Sequence, residues 1–138
     1  MNMDSRKLSG FLYKNAQMGL YTIPMLLSVS KDKRFNALLR QQYAFYRSFA
    51  KRTAKLPREK DIRLSCLEKL RVAAMIRFNT LPHPRPATAN LARMMAFGIV
   101  DVKRKINDYG DASEEVLLLA KTLFSRELKN LAALLEYV

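Results

Sequence analysis

Apolar and polar positions alternate along the chain with the period of an α-helix, and they do so in five successive stretches. From about Arg6 to Ser28, Leu8, Phe11, Leu12, Ala16, Gly19, Ile23, Leu26 and Leu27 fall on one face, the i, i+3, i+4 spacing of an amphipathic helix. Pro24 is expected to kink or interrupt it, because proline lacks the amide proton and its ring crowds the preceding turn. The second stretch, about Lys33 to Leu56, gathers Phe35, Leu38, Leu39, Gln42, Phe45, Tyr46, Phe49, Thr53 and Leu56 on one side, with Asp32 placed to cap its start. The third, about Ile62 to Thr80, is apolar over a broad arc, which predicts contact with more than one neighbour. The segment from Leu81 to Pro86 should break it, since closely spaced prolines disfavour helix for themselves and for the residues before them.

The fourth helix is expected from about Thr88 to Tyr109, with Leu91, Met94, Met95, Gly98, Val102 and Ile106 inward and Gly110 as its terminating residue. The fifth opens at DASEEV, where Asp111 or Ser113 can cap and Glu114 and Glu115 suit the positive end of the helix dipole. Its expected inner face runs through Leu117, Ala120, Phe124, Leu128, Leu131 and Leu135. Connections this short join neighbours, so the pattern predicts an all-α, antiparallel up-and-down bundle of four to five helices. The 138 residues suit a single domain, 1–138. Gly19 and Gly98 stand at apolar positions inside helices, where glycine costs about 1 kcal/mol relative to alanine. A close approach of two helices is the expected reason, and a ligand slot is the other reading.

Charge adds direction to this scaffold. The chain has 25 basic and 12 acidic residues, net +13. Residues 31–77 hold 14 basic and 4 acidic residues, net +10, whereas 106–138 hold 3 basic and 6 acidic, net −3. At 100° per residue, Lys33, Arg40, Arg47, Lys51 and Arg58 lie close to one line opposite the second helix's apolar face. Such a stripe can follow phosphates, with Tyr43 beside it to stack on a base, and it makes nucleic acid, a ribonucleoprotein or an acidic protein surface the expected partner. No zinc finger or RNA-recognition sequence accompanies it, so binding would be driven by backbone charge. A solvated basic face needs no partner and is the bland alternative.

Candidate chemistry is sparse. The only histidine, His83, sits among prolines, and the lone Cys66 lies on an apolar arc, which suits a small core residue better than a nucleophile. A single cysteine forms no internal disulfide, and no apolar run is long enough to span a bilayer, so a cytoplasmic protein without a transmembrane segment is expected. The apolar run from Met18 to Ser30 lacks a small-x-small cleavage site and continues a helical pattern, which argues against a signal peptide. Four scattered glycines form no phosphate loop. No Glu-x-x-His occurs, and the stretch from Arg6 to Leu56 has no glutamate, so the di-iron ligand pattern is missing. The carboxylates nearest to apolar faces are Asp101 and Glu127, candidates for buried polar groups, each expected at the edge of its face beside an arginine. No catalytic residue, metal ligand or cofactor is assigned.

Four segments, NAQMGLYTIPMLL, NTL, LARMMAFGIVD and LAKTLFSRELKNLAALLEYV, resemble small, mostly uncharacterised bacterial ferritin-like helical proteins. The resemblance implies a ferritin-like bundle. It also implies a histidine and a glutamate near positions 90 and 93, where this chain has Asn90 and Arg93, so no metal site is carried over. The expectation is a non-enzymatic basic bundle that binds a polyanionic or acidic partner. A ferritin-like metal or redox protein with a degenerate site around Asp101 and Glu127 is the second reading. A structural module that self-associates or joins a complex through an apolar helix face is the third.

Overall fold

The computed structural model describes residues 2–58, 69 and 84–136. Within them the chain is all-helical: α1 spans Met3–Val29, α2 Lys33–Ala54, α3 Pro84–Asp108 and α4 Glu114–Leu135. Apart from Lys69, the expected third helix, with Cys66, lies outside the described residues, as does His83 beyond it.

Each helix start has a chemical reason. Asn2 caps α1 by accepting from the Ser5 amide, and Asp32 caps α2 by accepting from the Arg34 and Phe35 amides. Ser113, not Asp111, caps α4 by accepting from Val116. The prolines expected to hold a loop apart instead open α3, with Pro84 in its first position and Pro86 in its third. Helical amides in the first turn have no intrahelical acceptor, so proline forfeits nothing there. Pro24 does not end α1, which continues to Val29. It lies on the exposed side, where a carbonyl deprived of its donor can reach water. Gly110 follows α3 in a turn without adopting the left-handed conformation expected of a glycine cap.

α1 packs along α2, α3 along α4, and α4 also meets both α1 and α2. The core they share includes Leu8, Leu12, Leu39, Phe49, Val102 and Leu123. Two hydroxyls tie the start of α1 to distant chain. Ser9 Oγ donates to the Pro57 carbonyl at 2.6 Å, and Ser5 Oγ accepts from the Ser113 amide at 2.7 Å.

α4 departs from its expected phase. Its buried line is Val116, Leu119, Ala120, Leu123, Glu127, Asn130 and Leu134, one position N-terminal to most of the expected face. Leu128 and Leu135 are exposed, at 45% and 55%. The helix carries two leucine stripes, and the buried one is the stripe interrupted by polar Glu127 and Asn130. The consequence is a carboxyl at the centre of the packing instead of at its edge.

Candidate functional sites: a basic helix face and a polar cavity

The expected basic stripe divides into two parts. Lys33, Arg40, Arg47 and Lys51 are exposed along α2, over about 27 Å at 1.5 Å per residue. None of the four makes an ion pair with another described residue, and α2 contains no acidic side chain to offer one. Arg58 does not continue the line. Its guanidinium lies over the Tyr13 ring of α1, 4.1 Å from the centroid, and donates to the Ala54 carbonyl at 3.2 Å. Tyr43 is half-buried against the core, so it is not the free stacking platform that its position between Arg40 and Arg47 suggested.

The two candidate buried carboxylates also separate. Asp101 is exposed on α3, so of the two candidates it is not a buried polar group. Glu127 is buried at 5% exposure. No arginine among the described residues pairs with it; Tyr46 Oη donates to its Oε1 at 3.0 Å. Burial raises the Glu127 carboxyl from its ordinary 4.5 to about 7, although the Tyr46 hydrogen bond pulls the other way. Burial, together with the neighbouring carboxylate, likewise holds the Tyr46 phenol well above its usual value. Among the described residues no cluster of three His, Cys, Asp or Glu side chains could hold a metal ion. No helix among them is long and apolar enough to cross a membrane.

Tyr46 and Glu127 border a cavity of about 140 Å³ among the four helices. α1 contributes Thr22 and α2 contributes Gln42, each one turn from the Gly19 and Tyr46 level. Thr22 and Gln42 are 5% and 4% exposed, and neither Thr22 Oγ1 nor Gln42 Nε2 has a hydrogen-bond partner within the protein. Such atoms are costly, at about 1–3 kcal/mol each, when nothing satisfies them. The remaining described walls are mostly apolar, with Ile23, Leu26, Leu39 and Met95 prominent, and no Lys, Arg or His is among the described lining residues.

Gly19 and Gly98 both line this cavity and differ in what surrounds them. A Cβ on Gly19 would stand 2.5 Å from Tyr46 Cδ2, so the absent side chain is what lets the ring seat against α1. A Cβ on Gly98 would meet nothing within 4 Å. The close approach expected at both is real at Gly19, whereas Gly98 faces open space. Sequence reasoning missed Thr22 and Gln42 as site residues. Gln42 offered a signal, since a glutamine on an otherwise apolar helix face is a buried amide that needs a partner.

Comparison with known family models, curated proteins and solved structures returns no match. What the described residues define is an all-helical fold with a basic face and a half-open, largely apolar pocket that holds a few buried polar groups.

Proposed function

We propose that this chain is a non-enzymatic, ferritin-like, antiparallel up-and-down bundle that binds a polyanion, with nucleic acid the favoured partner, through the outer face of α2. The observation that supports it is the exposure of Lys33, Arg40, Arg47 and Lys51 on a helix without acidic residues, none of them engaged by a described neighbour. Cations spaced along one rigid rod, with no partner among the described residues, can displace counterions from a phosphate backbone without losing a described intramolecular bond. Arg58, held on Tyr13, contributes less than its position in the stripe implies.

The test is affinity for single-stranded nucleic acid as a function of salt. The combined variant Lys33→Glu, Arg40→Glu, Arg47→Glu and Lys51→Glu should bind far more weakly and flatten the log–log salt dependence by roughly 3, since each phosphate contact on a single strand contributes about 0.7. Arg58→Gln should leave that slope nearly unchanged. Binding that persists after the fourfold reversal, or that ignores salt, would refute the proposal.

A further inference from the structure

We propose that the cavity between Thr22, Gln42, Tyr46 and Glu127 is a binding site for a small neutral ring compound bearing an N–H donor beside a carbonyl acceptor, that is, a cyclic amide.

Size is the first constraint. A volume of about 140 Å³ is close to that of an engineered apolar cavity of ~150 Å³ that accepts benzene, so one six-membered ring fits. The rim includes the half-buried Asn15, Met18 and Gly98, which gives a solute a way in from the surface.

Polarity is the second. An apolar ring matches Ile23, Leu26, Leu39 and Met95, but it would leave Gln42 Nε2 and Thr22 Oγ1 without partners. Gln42 Nε2 can only donate, so the ligand must bring an acceptor. Glu127 has one carboxyl oxygen engaged by Tyr46, and a carboxyl group holds four lone-pair sites, so it can still accept from a ligand N–H. Thr22 can serve either role.

Charge is the third. An anion would meet Glu127 and find no basic side chain among the described lining residues. A cation would have to enter a chain of net charge +13. A neutral amide needs no counter-charge, and its adjacent donor and acceptor also suit a carboxyl that is half-protonated near neutrality, as burial makes Glu127.

Gly98 gives the site its clearest handle. Because nothing lies within 4 Å of the position of its missing Cβ, Gly98→Leu should carry apolar volume into the pocket. The probe is 2-pyridone, with benzene as the control of equal ring size, followed by titration calorimetry and by the backbone amide shifts of Gly19 and Gly98. Wild type should bind 2-pyridone saturably and at least tenfold more tightly than benzene. Gly98→Leu should abolish the binding while circular dichroism and thermal melting report an intact fold. Gln42→Leu and Thr22→Val, which keep size and remove hydrogen-bonding capacity, should each weaken 2-pyridone about tenfold and leave benzene unchanged. Absence of saturable 2-pyridone binding, equal affinity for benzene, or affinity unaffected by both Gln42→Leu and Thr22→Val would overturn the inference. Should Gly98→Leu fail to fold, the last two variants decide the matter alone.

Discussion

Gly19 and Gly98 occupy equivalent sequence contexts, an apolar position in the middle of an amphipathic helix, and they do opposite things. At Gly19 a neighbouring aromatic ring enters the space that a side chain would take. At Gly98 no neighbour enters, and the space becomes part of a cavity. The helix-propensity cost is about the same at both. What differs is whether a residue on another helix is large enough, and so placed, to occupy the gap. An interior glycine therefore reports that room is needed and leaves open what fills it.

Glu127 borders both features, through Tyr46 on one side and the cavity on the other, and it gives the largest expected effect. Its carboxyl is harder to ionise in the folded chain than in the unfolded one, so folding favours the protonated form. Stability from this group is therefore full below about pH 4.5, falls as pH rises, and levels off above about 7. The loss is on the order of 3 kcal/mol at 1.36 kcal/mol per unit of pKa difference. Urea denaturation of wild type at pH 4.5 and pH 8 measures it, and Glu127→Gln should remove most of the difference. An equal pH dependence in that variant would show that other groups produce it.

Gly19→Ala is next. Alanine is the better helix former, yet its methyl would collide with a ring that is buried and whose hydroxyl is tied to Glu127. The net effect should be destabilisation of about 2 kcal/mol, in the range of core overpacking. Pairing it with Tyr46→Leu, which withdraws the ring, should recover part of the loss in a double-mutant cycle. The smallest effect belongs to Gly98→Ala. With no clash to offset propensity, it should stabilise by up to about 1 kcal/mol, and a rise in melting temperature reads it out. If the two alanine variants moved stability in the same direction, the contrast between the glycines would be wrong.

The same contrast marks what the sequence could and could not show. The inner faces of α1 and α2 were legible because each has one apolar stripe, and Leu8, Leu12, Leu39 and Phe49 are buried as the spacing requires. Asp32 was legible because a cap acts within its own helix. α4 was misphased because leucines lie on two sides of it, and the buried side is chosen by its neighbours, with Tyr46 offering Glu127 a hydroxyl. For the same reason the cavity was out of reach. It is bounded by residues of four helices, and no local pattern records their mutual placement. The basic stripe on α2 followed from spacing alone, whereas the diversion of Arg58 onto Tyr13 depends on where α1 passes.

The two serines near the start of α1 carry an implication for the order in which the protein is made. Ser9 waits for Pro57, and Ser5 waits for Ser113, 108 residues further along the chain. At bacterial-to-eukaryotic elongation rates of about 5–20 residues per second, that interval is roughly 5 to 20 s. α1 and α2 can pair on the ribosome long before α4 exists, leaving one flank of a nascent hairpin uncovered. The distance between Ser5 and Ser113 thus sets how long the start of α1 goes without its last partner.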